Sequence, residues 1–185
     1  MRQPFALLAA CLVVASASVA AGPRQVLIRF DGALPMDPST ATLTAGVVGV
    51  VPNVVRGVSP GGRPWVLRKL EATVTRDGMI TARGKGLLIA SGDPIGTRGA
   101  VTLVGATLAC GAADATATKF STLAGSALDT AGNFEIRGAL STDGINTAVM
   151  PQTCTNPVLL IRSYNATTNT LGAWFAAGIP DDSDD

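Results

Sequence analysis

KLEATVTRDGMITARGK, residues 69–85, decides the fold class, because apolar and polar side chains alternate on both sides of Asp77-Gly78. This alternation is typical of a β-hairpin with one buried face. A two-residue turn at Asp77-Gly78 would place Val74 opposite Thr81 and divide the apolar residues between the two faces. A three-residue loop that begins one residue earlier, with Gly78 left-handed, instead places Val74 opposite Ile80. The pattern therefore predicts the three-residue loop.

The rest of this register is favourable except for one pair of like charges. Its further pairs are Ala72–Ala82, Thr73–Thr81, Glu71–Arg83 and the unfavourable Lys69–Lys85.

A second segment, Gly132–Gly138, shares the pattern Gly-x-apolar-x-apolar-Arg-Gly with Gly78–Gly84. The repetition predicts two similar hairpins in opposite sheets, with convergent hairpin chemistry as the alternative to duplication.

Outside this hairpin the chain has the same character. Short runs rich in Val, Ile, Leu and Thr are separated by clusters of Gly, Pro, Asp and Asn, and helical periodicity is nearly absent. About eight or nine short strands at this spacing predict a single antiparallel β-sandwich or β-barrel. The continuous apolar runs 157–161 and 174–178 predict central strands that are buried on both faces. The predicted strands are Gln25–Phe30, Gly46–Val55, Trp65–Thr75, Met79–Ile89, Val101–Cys110, Ala117–Thr122, Asn133–Leu140, Pro157–Tyr164 and Leu171–Ala177.

The 185 residues include no histidine, which excludes several kinds of chemistry. Ser-His-Asp and Cys-His catalysis, histidine-ligated zinc and histidine-ligated haem all need an imidazole. The composition therefore predicts neither a cofactor nor a metal site.

Residues 1–21 have the features of a secretory signal peptide: a basic Arg2, an apolar stretch from Phe5 and small residues before a cleavage site at Ala20 or Ala21. A lipoprotein anchor at Cys11 and an uncleaved membrane anchor are the alternatives. The prediction is a secreted or periplasmic protein with no membrane span after cleavage.

The predicted mature chain is one β domain over residues 22–180 and a disordered acidic tail over 181–185. Without Arg2 and the four tail acids, 13 of the 14 basic and 9 of the 13 acidic residues remain, so the body carries a charge of +4.

Once Cys11 is removed, Cys110 and Cys154 are the two remaining cysteines. Two cysteines in an exported chain are expected to pair, and two buried free thiols are the alternative. Closing a loop of this length would stabilise the fold by about 4 kcal/mol.

Two glycine-rich loops, Ser59–Pro64 and Gly92–Gly99, carry arginine. Backbone N–H groups and a guanidinium can together bind a phosphate or carboxylate. The alternative is that both loops are ordinary turns whose arginines are solvated. The candidate anion-binding residues are Gly61, Gly62, Arg63 and Arg98.

Seven basic residues but only two acids lie between Arg56 and Lys85. This basic stripe could contact an anionic envelope polymer, nucleic acid or the acidic tail, or it could be a solvated strand face that resists aggregation. The chain has few aromatic residues, which makes nucleic acid the least favoured of these partners, and we expect no nucleic acid to bind.

A pair of carboxylates that hydrolyses glycosides would have to come from acids that mostly lie in turns, and nothing in the sequence selects one pair. The candidate acids are Asp31, Asp37, Glu71, Asp93, Asp114, Asp129, Glu135 and Asp143.

Five segments resemble a group of uncharacterised secreted bacterial all-β proteins with a Gly-Gly-x-Pro-Trp segment and one cysteine pair. The resemblance covers roughly residues 45–179 and implies export, a single domain and the cysteine pair, but no activity. The segments are Gly57–Trp65, Arg83–Ile89, Gly132–Ile136, Cys154–Arg162 and Trp174–Gly178.

The sequence therefore predicts an exported, soluble, non-catalytic domain with a binding or envelope-associated role. Its expected partner is an anionic envelope polymer or another protein. A self-assembling surface domain is the first alternative, and a histidine-independent hydrolase that uses paired carboxylates is the second.

Overall fold

The computed structural model describes residues 24–181, so the expectations for residues 1–21 and for residues 182–185 lie outside the described part. No helix long and apolar enough to cross a membrane occurs between residues 24 and 181. The strands in this range are β1 Val26–Pro35, β2 Ser39–Thr44, β3 Val47–Pro52, β4 Trp65–Val66, β5 Lys69–Thr75, β6 Met79–Lys85, β7 Leu88–Ile89, β8 Leu103–Cys110, β9 Thr118–Thr122, β10 Ser126–Ala127, β11 Phe134–Ser141, β12 Val158–Asn165 and β13 Thr170–Pro180.

Eight of these strands form one antiparallel sheet that closes on itself. Their order is β8-β12-β13-β1-β5-β6-β11-β9, and β9 pairs with β8 to complete the barrel. The short β10 pairs with the other end of β8. Two small sheets, β2–β3 and β4–β7, are separate from the barrel sheet. The predicted all-β fold is confirmed, and of sandwich and barrel the chain forms the barrel.

The predicted hairpin register is confirmed pair by pair in β5 and β6. Val74 lies opposite Ile80, Glu71 opposite Arg83, and Lys69 opposite Lys85. Gly78 is left-handed with a φ of 78°, as a three-residue loop requires. The register follows from the need to keep the apolar side chains of both strands on one buried face.

Replacing Gly78 by alanine is expected to lower the free energy of unfolding by about 1–2 kcal/mol, because an L-residue in this conformation strains its backbone. The new Cβ would also lie 2.7 Å from the carbonyl oxygen of Ala148. Gly144 is the matched control, since its φ is also 78° but no atom of residues 24–181 lies within 4 Å of an added Cβ. Urea denaturation should therefore show a larger loss for Gly78→Ala than for Gly144→Ala. Equal losses would exclude a contribution from the Ala148 contact.

The strands predicted to be central are buried on both faces. Leu159, Leu160 and Ile161 in β12 are each 0% exposed. Because consecutive residues in a strand point to opposite faces, both sides of β12 are covered. Trp174–Ala176 in β13 are at most 5% exposed and show the same arrangement.

The segment between β3 and β5 lies against β13. The rings of Trp65 and Phe175 have centroids 4.3 Å apart. The indole N–H of Trp174 donates to the carbonyl of Asn53 at 3.1 Å, and the amide of Gly61 donates to the carbonyl of Trp174 at 3.0 Å. This segment therefore packs on the barrel instead of forming a free loop.

Cys110 and Cys154 form the predicted disulfide, with their Cα atoms 5.0 Å apart. The bond joins the end of β8 to the loop that precedes β12. β8 and β12 are already paired there, with Val158 opposite Ala109, so the disulfide adds a covalent link at one end of the β8–β12 pair.

Several expectations about the strands were wrong. The predicted strands Trp65–Thr75 and Met79–Ile89 are each divided, and their shorter pieces, β4 and β7, pair in a separate small sheet. The strand Ser39–Thr44 was not predicted, and it pairs with the first half of the predicted strand Gly46–Val55 to form the β2–β3 hairpin. The similar segments Gly78–Gly84 and Gly132–Gly138 do not lie in opposite sheets. They are direct neighbours in one sheet, with Ile136 opposite Ala82, because both need the same buried apolar face.

Candidate functional site

The two arginine-bearing loops are neighbours. The β4–β7 ladder pairs Trp65 with Ile89, and the amide of Ala90 donates to the carbonyl of Pro64 at 2.8 Å. Arg63 is exposed, and its guanidinium lies over the second loop, since a Cβ added to Gly92 would be 2.6 Å from its Nη1. The structure therefore places Arg63 against the loop that carries Arg98.

The two glycines of the first loop have different surroundings. Gly61 is buried, its amide already donates to Trp174, and an added Cβ would lie 2.9 Å from the ring of Phe175. Close packing is therefore the reason for glycine at position 61, and its N–H is not available to an anion. Gly62 is exposed, and in the described part of the chain no atom lies within 4 Å of an added Cβ.

Arg98 is anchored on its own loop. Its Nη1 donates to the carbonyl of Val101 at 2.5 Å, and within the described part of the chain its buried Nε has no hydrogen-bond partner. Arg98 is half-buried, whereas Arg63 is exposed. The two arginines looked equivalent in the sequence, but Arg63 alone presents an exposed guanidinium.

Arg83, one member of the basic stripe, is paired with an acid from outside the stripe. Glu135 of β11 lies opposite Arg83 of β6 and accepts a charged hydrogen bond from its Nε at 2.8 Å. Arg137 binds the same carboxylate oxygen of Glu135 at 2.6 Å. These two guanidinium groups lower the pKa of Glu135. The count of charged residues between Arg56 and Lys85 did not include Glu135, because Glu135 lies far along the chain from Arg83.

Two further members of the stripe have structural roles. Arg56 donates to the carbonyl of Asn156 at 3.1 Å, and Arg76 donates to the carbonyl of Gln152 at 2.6 Å. Both acceptors lie in the loop that carries Cys154, so these arginines fasten that loop to other parts of the chain.

One end of the stripe keeps its positive charge. Arg68, Lys69 and Lys85 are exposed and surround the turn at Gly86, and we call them the basic end cluster. The Glu71 carboxylate binds Lys69 at 2.6 Å, which raises the pKa of Lys69 and lowers that of Glu71. Among residues 24–181, neither Arg68 nor Lys85 forms a salt bridge. The predicted Lys69–Lys85 pair was the signal in the sequence that could have located this cluster.

The barrel surface also brings two candidate acids together. Asp31 of β1 lies opposite Glu71 of β5, and both line an open pocket of about 310 Å³ with Arg29, Arg83 and Asp181. Lys69 holds Glu71 in its ionised form, since its hydrogen bond and charge lower the pKa of Glu71. A general acid for glycoside hydrolysis needs the opposite shift.

The other shifted acids also have lowered pKa values. Asp143 is the strongest case, because the side chain and amide of Asn146 and the amide of Ile145 donate to its carboxylate. Its role is to hold the loop after β11 in shape. In the described range, no three acidic or cysteine side chains converge on one metal position.

A second pocket, of about 450 Å³, lies beside the disulfide and is mainly apolar. Phe120, Met150 and Pro151 line it together with Cys110. Among the described residues no charged side chain lines it, so that lining has no group that would orient a charged ligand.

No protein-family model matches the sequence, and comparisons with curated proteins and with solved structures also give no match.

Proposed function

We propose that this protein is an exported, non-catalytic domain that binds an anionic envelope polymer through the basic end cluster. The observation that carries the proposal is the Lys69–Lys85 pair, two like charges directly opposite each other with Arg68 beside them. Such a pair destabilises a sheet. Of these three residues, Lys69 alone has a carboxylate partner within residues 24–181, so a bound polyanion would offset the repulsion that remains.

The scaffold supports this role. The barrel closes completely and buries one continuous apolar core, so its strands offer a rigid outer surface. The Cys110–Cys154 disulfide is compatible with an oxidising compartment outside the cytoplasm. Arg63 provides a further exposed guanidinium on the nearby β4–β7 loops.

Neutralising the cluster with Arg68→Gln and Lys85→Gln is expected to weaken binding to dextran sulfate about 30-fold, since each basic side chain near an anionic surface contributes about 1 kcal/mol. Binding is measured as a function of salt concentration, and it should weaken as salt rises because exposed charges are screened. Thermal stability should stay unchanged or increase slightly, because the substitutions remove a repulsive pair.

The matched control is Arg24→Gln with Arg76→Gln, which changes the net charge equally near the β5–β6 turn, at the other end of these strands. This variant should bind dextran sulfate as the wild-type protein does. Equal weakening by both variants would mean that net charge alone drives binding, and the proposal would then fail.

The arginine loops are tested separately by single substitutions. Arg63→Gln should weaken binding to dextran sulfate several-fold, because its exposed guanidinium lies on the segment that leads through β4 to Arg68 of the basic end cluster. Arg98→Gln should have a smaller effect, because the guanidinium of Arg98 is held by Val101.

A self-assembling surface domain is the second candidate. The observation that favours it is the β2–β3 hairpin, which is separate from the barrel sheet and exposes several large apolar side chains.

A further inference from the structure

The β2–β3 hairpin has a defined geometry. Its two-residue turn consists of Ala45 and Gly46, which are both left-handed with φ values of 50° and 80°. This is the conformation of a type I′ turn, which matches the twist of a two-stranded ribbon. The register places Leu43 opposite Val48 and Ala41 opposite Val50.

One face of this hairpin is apolar and uncovered. Opposed residues share a face, so Ala41, Leu43, Val48 and Val50 lie together. Leu43 is 73% exposed, Val48 69% and Val50 72%. An isolated two-stranded hairpin is only marginally stable in water, whereas three or more strands with an apolar face are stable. The hairpin therefore needs further strands or a covering surface.

The free backbone groups belong to the same residues. In a hairpin with a two-residue turn the residues next to the turn, Thr44 and Val47, form a hydrogen-bonded pair, and such pairs recur at every second position. Val48 and Val50 lie at the alternate positions, so their N–H and C=O groups point away from β2. Among residues 24–181, β3 pairs only with β2, which leaves this outer edge open.

We infer that the outer edge of β3 pairs with the same edge of a second copy of this chain. Antiparallel pairing about a two-fold axis at Gly49 would place each Val48 opposite the other copy's Val50. Both residues present free N–H and C=O groups, so about four backbone hydrogen bonds would form across the edge. Opposed side chains share a face, so the two apolar faces would join on one side of a four-stranded sheet.

Charge favours a second copy over a charged partner. Residues 38–55 contain no charged side chain, so two copies would meet there without repulsion and without a charge to attract another molecule. The edge of β2 is less suitable, because Asp37 precedes it and its carboxylate already accepts the amide N–H of Ser39 at 3.2 Å.

The expected dimer is weak. Strands of six residues are about 20 Å long, and pairing them covers less than the roughly 1,200 Å² that stable interfaces bury. Association should therefore depend on concentration. The inference does not rest on the basic end cluster, which lies on β5 and β6.

Sedimentation velocity of the chain without residues 1–21, over concentrations from about 1 µM to about 1 mM, tests this pairing. The wild-type protein should shift from monomer to dimer as concentration rises. Val50→Pro should remain monomeric, because proline removes the outward N–H but no hydrogen bond to β2. Val50→Lys, which places a charge at the same edge, should also remain monomeric. Val51→Thr, on the opposite face of the same strand, should dimerise as the wild-type protein does.

Three results would overturn the inference. The first is a wild-type protein that is monomeric at every concentration. The second is a dimer that survives Val50→Pro but is lost with Leu43→Thr, since that pattern indicates contact between faces instead of edges. The third is a monomer that binds neutral phosphatidylcholine vesicles through the hairpin, because a lipid surface would then be the occupant. Unchanged thermal unfolding of the variants shows that the barrel is intact in each measurement.

Discussion

Replacing Cys110 and Cys154 by serine is expected to lower the free energy of unfolding by about 4 kcal/mol. The bond closes a loop across a sequence separation of 44 residues, and breaking it enlarges the set of conformations open to the unfolded chain. Such a loss is a large fraction of the roughly 5–15 kcal/mol by which a folded domain is stable. In a domain of this size it corresponds to a fall in Tm of roughly 8–16 °C.

The position of the bond supports a large effect. Cys110 is 5% exposed at the end of β8, a strand that pairs with both β12 and β9. Loss of the bond also frees the loop around Met150, which is 8% exposed and belongs to the core. Unfolding in urea, with and without a reducing agent, measures the difference.

Cys110→Ala with Cys154→Ala is the control for the disulfide. It removes the bond without placing a hydroxyl in a buried position, so it separates the loop-closure effect from the burial of a polar group. Both double variants should lose similar stability. A loss below about 1 kcal/mol in the alanine variant would contradict the loop-closure explanation.

Gly84→Ala is expected to destabilise the barrel by about 2–3 kcal/mol, through overpacking of the core. Gly84 of β6 lies opposite Phe134 of β11, and an added Cβ would fall inside the space of the Phe134 ring. Phe134 is 6% exposed and is part of the core, so its ring can move only by disturbing its neighbours. The φ of Gly84 is not positive, so the effect comes from packing alone.

Gly138 provides the matched control for Gly84. It lies on β11, opposite the buried Ile80, and an added Cβ would meet no atom of the described residues within 4 Å. Gly138→Ala should therefore change stability little. A double-mutant cycle of Gly84→Ala with Phe134→Leu should show a favourable coupling of about 1 kcal/mol or more, because the smaller side chain makes room for the methyl group. Additive losses would mean that the two residues do not interact.

The β5–β6 hairpin shows how much local patterns can predict. Its register follows from the period-two alternation and from a loop that places Gly78 left-handed, and all of these act within 17 residues of chain. The repeated pattern at Gly132–Gly138 was recognised, but the position of that strand was wrong. Which strands become neighbours depends on pairing over long distances in the chain, and the pattern carries no information on this.

In the candidate site, too, local patterns predicted some features and distant pairing decided the others. The Lys69–Lys85 pair followed from the hairpin register, but the ion pair between Arg83 and Glu135 needed the β6–β11 pairing. Gly61 looked like part of an anion-binding loop, and the structure instead shows close packing against Phe175. Such contacts join residues more than 50 positions apart, so no local pattern reveals them.

The amino-acid sequence by itself determined the all-β class, the hairpin register and the cysteine pair, because alternation, turn geometry and a count of thiols are local or compositional properties. Only the tertiary structure decided that the sheet closes, that β2–β3 remains apart from it and that, within residues 24–181, Arg68 and Lys85 keep their charge without a salt bridge. The physical reason is that closure, burial and charge compensation all depend on which distant segments become neighbours.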